Sequence, residues 1–192
     1  KNMFHTAVIG GGCLGAAAAI SLQKKLNAQG KNQKDCLIEK AVLCAAESSR
    51  HSGIVRSANA DPDASMMAMI STKMWKDLAK VWGIDMELDE FGAIWISKKN
   101  SDGENPAWQD LSKRMGKIDL VFEEINSKSA IEKCGRTLLT DENESYFYEP
   151  AAFQLDPSIL RSTLYDAIDH NGVELMEKKE VDTILVKGKD IV

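Results

Sequence analysis

The sequence predicts an α/β fold in which a parallel sheet flanked by helices is joined to part of a mixed-sheet α+β domain. The first 39 residues show the order strand, glycine-rich turn, helix, strand, which is typical of a βαβ unit. From about residue 84 the pattern becomes richer in strands, and a capped helix followed by a strand returns after residue 156. We therefore predict a first domain in two parts, residues 1–83 and 156–192, with residues 84–155 inserted as the mixed-sheet domain.

A glycine-rich turn organises the first βαβ unit. The apolar run that ends at Ile9 leads into Gly10-x-Gly12-x-x-Gly15, and a helical run then continues to about Asn27. The first glycine permits a sharp exit from the strand, the second lets a pyrophosphate approach bare backbone, and the third lets helix and strand pack closely. The helix N-terminus offers N–H groups and a positive dipole to phosphates. The predicted dinucleotide contacts here are Gly10, Gly11, Gly12, Cys13, Leu14 and Gly15.

An acidic residue closes the second predicted strand. The run Cys36-Leu37-Ile38 ends at Glu39, which lies 24 residues after Gly15, close to the roughly 20 expected for a carboxylate that binds ribose hydroxyls. Strand, glycines, helix, strand and acid in this order favour a Rossmann-like dinucleotide site over a plain glycine-rich turn. A carboxylate at this position disfavours a 2′-phosphate, so we expect FAD or NAD rather than NADP.

The composition excludes several classes of function. A net charge of −5 and a pI near 5.3 disfavour nucleic acid and anionic membrane surfaces as partners. No window approaches the ~18 apolar residues of a membrane-spanning helix. The four cysteines form no CxxC pair and have no ligand-like spacing with the three histidines, so we expect neither disulfides nor a metal site. Cysteines without a disulfide pattern favour a reducing compartment, which is the cytoplasm, or an organelle matrix if a targeting segment preceded Lys1.

The remaining elements are predicted from periodicity and capping residues. Helices are expected at about 62–82, at 108–115, from Asn126 or Ser127 to 134, and at 158–170, and Asp61-Pro62 and Asp156-Pro157 mark two of their starts. Strands are expected at 91–96, 120–122, 146–150, 152–155, 173–176 and 181–186. The methionines at helical spacing after Asp61 are expected to fill the core.

A second motif carries a family resemblance. Residues 48–56 have the sequence Ser-Ser-Arg-His-Ser-Gly-Ile-Val-Arg, and they occur with the glycine motif, Glu39-Lys40, the strand Phe91-Gly-Ala-Ile-Trp and Asp156-Pro157 with its helix. In these features the chain resembles the amino-terminal half of the D-amino-acid oxidase-like, FAD-dependent oxidoreductases. That family includes glycine oxidase, sarcosine oxidase, dimethylglycine dehydrogenase and 2-hydroxyglutarate dehydrogenase. The resemblance covers essentially the whole chain and implies a Rossmann-like FAD-binding domain with part of a mixed-sheet substrate domain.

The resemblance implies roles for residues along the FAD molecule. The glycine motif would bind the pyrophosphate, and Glu39, followed by Lys40, would bind the adenosine ribose. Val181 would meet the adenine through its backbone. The segment expected beside the pyrophosphate and under the flavin ring comprises Ser48, Ser49, Arg50, His51, Ser52, Gly53 and Ile54.

Three side chains in or next to this segment leave alternatives open. In some relatives a histidine of this loop attaches FAD covalently, whereas others have Asn-Ser-Gly where this chain has His-Ser-Gly. The resemblance therefore leaves His51 as a covalent tether for FAD, a non-covalent flavin contact or a bystander. Arg50 adds positive charge near the phosphates or faces solvent. Arg56 stands where sarcosine-oxidase-like members place an arginine that binds the substrate carboxylate, for which a planar guanidinium is suited. Its alternative is an exposed or ion-paired arginine.

Three functions are compatible with these observations. The first is an FAD-dependent oxidoreductase that oxidises a small amino acid, N-methyl amino acid or 2-hydroxy acid by hydride transfer to flavin. The second is an NAD-dependent dehydrogenase, which fits the glycine motif but not the small-residue stretch at 48–53. The third is a non-catalytic nucleotide-binding half-module. Complete family members are about twice as long as this chain, so the expected partners are a carboxylate-bearing substrate and a missing carboxy-terminal half or partner subunit.

Overall fold

The computed structural model describes residues 4–82, 88–135, 138–187 and 190–191. The chain divides into two compact units. The first unit comprises Lys1–Ser52, Leu78–Met86 and Asp156–Val192, and the second comprises Gly53–Asp77 and Glu87–Leu155. The predicted domain bounds of 1–83, 84–155 and 156–192 stay a prediction.

The first unit is built on a parallel three-stranded sheet. Its strands are β1 (Ala7–Ile9), β2 (Cys36–Ile38) and β8 (Glu174–Met176), in the order β1-β2-β8. Leu37 of the central strand is fully buried and lies opposite Val8 on one side and Leu175 on the other. A parallel strand pair requires a crossover connection, and here a helix supplies it between β1 and β2.

Two helices of the first unit pack against each other. They are α1 (Cys13–Ala28) and α5 (Pro157–Asn171). Ala16 and Ala19 of α1 are fully buried, and side chains this small allow close helix packing. Helix α5 is capped at its N-terminus by Asp156, whose carboxylate accepts a hydrogen bond from the backbone N–H of Ser158 at 2.7 Å. Gly172 caps its C-terminus in the left-handed conformation, with φ +79°.

The second unit contains an antiparallel sheet with helices. Strands β4 (Ala93–Lys98), β6 (Glu144–Glu149) and β5 (Glu123–Ile125) pair in that order. A separate antiparallel pair joins β3 (Ile54–Val55) to β7 (Phe153–Gln154). The helices in this part of the chain are α2 (Pro62–Trp82), α3 (Pro106–Gly116) and α4 (Ser127–Cys134).

The last described strands, β9 (Val186–Lys187) and β10 (Asp190–Ile191), belong to the first unit and form a two-stranded antiparallel pair.

An aromatic cluster forms the core of the second unit. Phe147 of β6 is fully buried and stacks on Phe122 with 5.3 Å between ring centroids. Trp95 of β4 meets Phe122 edge to face at 5.7 Å, a favourable arrangement for aromatic rings. Helix α3 contributes the buried Leu111 and Met115 to the same cluster. The cluster therefore ties the sheet to α3.

Most predicted elements are present, and two predicted strands are wrong. Helix α2 has the predicted bounds, but its Met66 and Met74 are exposed, so the expectation that these methionines fill the core is wrong. Helix α4 is capped by the predicted Asn126, whose side chain accepts from the backbone N–H of Ser129 at 2.8 Å. Residues 120–122 form no strand, because Leu120 and Phe122 fill the core from an irregular segment after a turn, and the strand begins at Glu123. Residues 181–185 also form no strand, and Ile184 and Leu185 are exposed there. Apolar alternation predicts a strand only where a partner surface covers it.

Candidate functional site

The glycine turn between β1 and α1 is tightly built. Gly10 has φ +105°, a backbone conformation that glycine adopts readily and other residues rarely adopt. Its N–H donates to the carbonyl of Ile38 at 2.8 Å. A Cβ atom on Gly15 would lie 1.9 Å from the carbonyl oxygen of Gly10. The first and last glycines of the motif are therefore both required by the backbone geometry of the turn.

The N-terminus of α1 presents bare backbone. Gly12 is the N-cap residue, with no side-chain cap of its own and no acidic residue in the first turn of the helix. The N–H of Cys13 donates to Oγ of Ser48 at 3.0 Å, and a Cβ on Gly12 would meet that oxygen at 3.2 Å. Leu14, next along the helix, is exposed. A helix start of this kind favours an anionic ligand.

Glu39 lies directly beside the glycine turn. Its Oε2 accepts from the N–H of Gly11 at 2.7 Å, and its Oε1 accepts from the N–H of Ala41 at 2.7 Å. The Ala41 bond, followed by the Gly11 bond, holds the pKa of Glu39 below its ordinary value, so the side chain is a carboxylate at neutral pH. Each carboxylate oxygen can accept a second hydrogen bond, which leaves capacity for two hydroxyl groups of a ligand.

The loop after β2 is anchored by residues distant in the sequence. Oε1 of Glu177 accepts from the N–H of Leu43 at 2.6 Å and from the hydroxyl of Tyr165. The N–H of Cys44 donates to the carbonyl of Gly11 at 2.8 Å, which joins this loop to the glycine turn. Sequence reasoning missed Glu177, because its partner Leu43 lies 134 positions away and no local pattern marks the contact.

The predicted flavin segment, residues 48–54, contacts the glycine turn through Ser48, whose Oγ accepts from the N–H of Cys13. Residues Glu47–Ser49 form a single 3-10 turn, in which Oγ of Ser49 donates to the carbonyl of Ala46 at 3.1 Å. The side chains of Arg50, His51 and Ser52 are exposed, as is that of Lys40. Val181 is half-buried in a segment without regular secondary structure after β8.

Gly53 and Ile54 belong to the second unit. Gly53 has φ +77°, and a Cβ on it would lie 2.6 Å from the carbonyl oxygen of Leu155. Its own carbonyl accepts from the N–H of Leu155 at 2.9 Å. Ile54 follows in β3 with 54% of its surface exposed. This glycine is therefore needed for the close approach of two chain segments.

Arg56, also in the second unit, is held by two contacts. Its guanidinium carbon lies 4.3 Å from the centroid of the Trp95 ring, within the range of a cation–π interaction. Its Nη1 donates to the carbonyl of Ala58 at 3.3 Å. One guanidinium N–H is occupied by this bond, and a guanidinium has five, so donors for a carboxylate are left.

Glu149 was not predicted as a site residue, and it contacts the same two residues as Arg56, namely Trp95 and Ala58. It is fully buried, its Oε2 accepts from the indole N–H of Trp95 at 3.1 Å, and its Oε1 accepts from the backbone N–H groups of Ser57 and Ala58. The available sequence signal was an acidic residue ending the aromatic strand Tyr146-Phe-Tyr, where an apolar residue would be expected.

Comparison with known proteins decides the family. The sequence profile of one family, described as FAD dependent oxidoreductase (DAO), matches residues 5–192. The chain belongs to this family. FAD is the cofactor of the family, which confirms the FAD expectation over the NAD alternative. No curated protein matches the sequence.

Solved structures share the fold of this DAO-family chain. L-proline dehydrogenase from P. horikoshii superposes with a TM-score of 0.82 at 19% identity, covering 100% of this chain and 48% of that one. Glycine oxidase from Bacillus cereus ATCC 14579 gives 0.79 at 20% identity, with 98% and 50% covered, and glycine oxidase from Geobacillus kaustophilus gives 0.79 at 22% identity, with 96% and 49% covered. The chain thus spans about half the length of these proteins. The predicted fold class and family resemblance are confirmed.

Two further findings concern membranes and metals. Among residues 4–82, 88–135, 138–187 and 190–191, no helix combines the length and apolar character needed to cross a membrane. Over those same residues, no three His, Cys, Asp or Glu side chains converge as a metal site would require.

Proposed function

We propose that this DAO-family chain acts in an FAD-dependent oxidoreductase that oxidises a small amino acid, N-methyl amino acid or 2-hydroxy acid. The chain would act with a carboxy-terminal half or a partner subunit, since it spans about half of the glycine oxidase and proline dehydrogenase chains. We propose the cytoplasm as its compartment, a choice supported by the free cysteines Cys13, Cys36, Cys44 and Cys134.

The glycine turn with Glu39 is the observation that carries the proposal. The bare N-terminus of α1 fits the FAD pyrophosphate, because Gly12 has no side chain and the first turn has no acidic residue to repel an anion. Gly10, Gly11, Cys13, Leu14 and Gly15 complete this cradle. The ionised Glu39 fits the adenosine ribose, since both of its oxygens retain acceptor capacity.

Other residues are assigned to FAD by the same proposal. Ser48, already bonded to the N-terminus of α1, would lie beside the pyrophosphate, and Lys40 would lie next to the ribose. Val181 would meet the adenine through its backbone. The remaining residues of the flavin segment are Ser49, Arg50, His51, Ser52, Gly53 and Ile54.

Arg56 is the proposed anchor for the substrate carboxylate. Its side chain is exposed, and its guanidinium plane is set by Trp95 and by the carbonyl of Ala58. A guanidinium in a set orientation can bind a carboxylate through two parallel hydrogen bonds and so orient the adjacent C–H bond. When bound, FAD would supply the two-electron chemistry as the acceptor of a hydride from that bond.

A visible absorption spectrum tests the cofactor. Protein purified with added FAD is expected to show the flavin bands near ~370 and ~450 nm. After acid precipitation, colour in the supernatant means non-covalent FAD, whereas colour in the pellet means covalent FAD and favours His51 as the tether. Protein that stays colourless, alone and with its remaining half supplied, contradicts the proposal.

Arg56→Ala tests the substrate site separately from the cofactor site. The variant is expected to keep FAD and to show a raised KM on the carboxylate substrates it oxidises, because the paired donors are lost. Arg56→Lys is the matched control, since it keeps the charge without the planar pair of donors, and an intermediate KM is expected. An unchanged KM in Arg56→Ala removes this residue from the site.

A further inference from the structure

Glu149 is a buried carboxylate with three hydrogen-bond donors around it. It ends β6 with no exposed surface. The donors are the backbone N–H groups of Ser57 and Ala58 and the indole N–H of Trp95. A charge is costly to bury even when hydrogen-bonded, and an apolar residue would serve packing at least as well. The arrangement therefore calls for a role beyond filling space.

Both contacts that hold Arg56 lead back to this carboxylate. The guanidinium lies 4.3 Å from the centroid of Trp95, whose N–H is bound by Glu149. Nη1 of Arg56 donates to the carbonyl of Ala58, whose own N–H is bound by Glu149 at 3.1 Å. The Glu149 carboxylate thus holds both the Trp95 ring that contacts the guanidinium and the Ala58 residue whose carbonyl accepts from it.

We infer that Glu149 is a positioning residue for carboxylate binding by Arg56, acting through the indole of Trp95 and the backbone at Ala58. The inference rests on the proposed role of Arg56. Because the indole N–H donates to an anion, electron density on the ring is raised, which favours a cation on its face. Glu149 thereby keeps the guanidinium plane in place while its free donors engage the ligand.

Glu149→Gln disturbs one contact of this arrangement in particular. The amide oxygen can still accept from the N–H groups of Ser57 and Ala58, but its NH₂ then faces the indole N–H of Trp95. Two donors cannot pair, so the indole must move away from its place under Arg56. Trp95→Phe removes the indole N–H while keeping an aromatic ring, and it therefore relieves this conflict in the double variant.

The assay measures binding of propionate to the FAD-loaded protein through the change in flavin absorption. Propionamide serves as the uncharged isostere. In Glu149→Gln we expect the Kd for propionate to rise about tenfold. The Kd for propionamide should be unchanged, because an uncharged ligand makes no paired bonds with the guanidinium. Trp95→Phe/Glu149→Gln should bind propionate more tightly than Glu149→Gln alone, a non-additive result.

The outcomes separate this inference from the proposed function. If Arg56→Ala weakens propionate binding and Glu149→Gln does not, the positioning role is wrong and the role of Arg56 stands. If Glu149→Gln weakens propionate and propionamide equally, its effect is general loosening and the inference is wrong. An additive double variant refutes the path through the indole. If Arg56→Ala leaves propionate binding unchanged, the proposed role of Arg56 is wrong and the inference fails with it.

Discussion

Gly15→Ala tests the glycine turn most directly. The added Cβ would lie 1.9 Å from the carbonyl oxygen of Gly10 and 3.1 Å from its carbon. The obstacle is backbone and cannot rotate away as a side chain could. Either α1 must shift away from β1 or the turn must open, and both changes alter the surface that the proposal assigns to the pyrophosphate.

Two opposing terms set the size of the effect. Alanine is a better helix former than glycine by about 1 kcal/mol, which on its own would stabilise α1. Overpacking a tight contact costs about 1–3 kcal/mol, and a backbone oxygen at 1.9 Å places this site at the upper end. The net expectation is a loss of about 2 kcal/mol, which in a chain of this size lowers Tm by about 4–8 °C.

Thermal unfolding and FAD titration measure the two consequences. We expect Gly15→Ala to show the lower Tm and a large rise in the Kd for FAD. Gly116→Ala is the matched control, because Gly116 ends α3, has no positive φ, and a Cβ there would meet nothing within 4 Å. A Gly15→Ala protein with the Tm and FAD affinity of this control would refute the close-approach argument.

Three further predictions follow from the same structure. Gly12→Val should keep its fold, since a Cβ there meets only Oγ of Ser48 at 3.2 Å, but should lose FAD, and retained flavin colour would contradict the pyrophosphate assignment. Glu39 has a lowered folded-state pKa, so its contribution to stability is present above its ordinary value of 4.5 and is lost as pH falls through the lower folded value. Glu39→Gln should therefore lose less Tm than wild type on acidification of the FAD-free protein, and parallel curves would refute this. Asn126→Ala should cost about 1 kcal/mol in urea unfolding by removing the α4 cap, whereas no loss would mean that water replaces the cap.

Much of the site could be predicted because its signals are local. The glycine spacing requires only the geometry of one turn, and Glu39 follows from the length of one βαβ unit. Asn126 and Asp156 were recognisable because a cap binds an N–H only two or three residues away. The bounds of α2 followed from the Asp61-Pro62 start and an apolar period of one helical turn.

The amino-acid sequence by itself determined the βαβ start, the acid beside the glycine turn and the family. Tertiary structure alone decided that Leu120 and Phe122 fill a core from an irregular segment, and that residues 181–185 form no strand. It also decided the partners of Glu149, since the indole that it binds lies 54 positions away. The physical reason is range: turn and capping energies arise within a few residues, whereas burial and long-range hydrogen bonds exist only once distant segments meet.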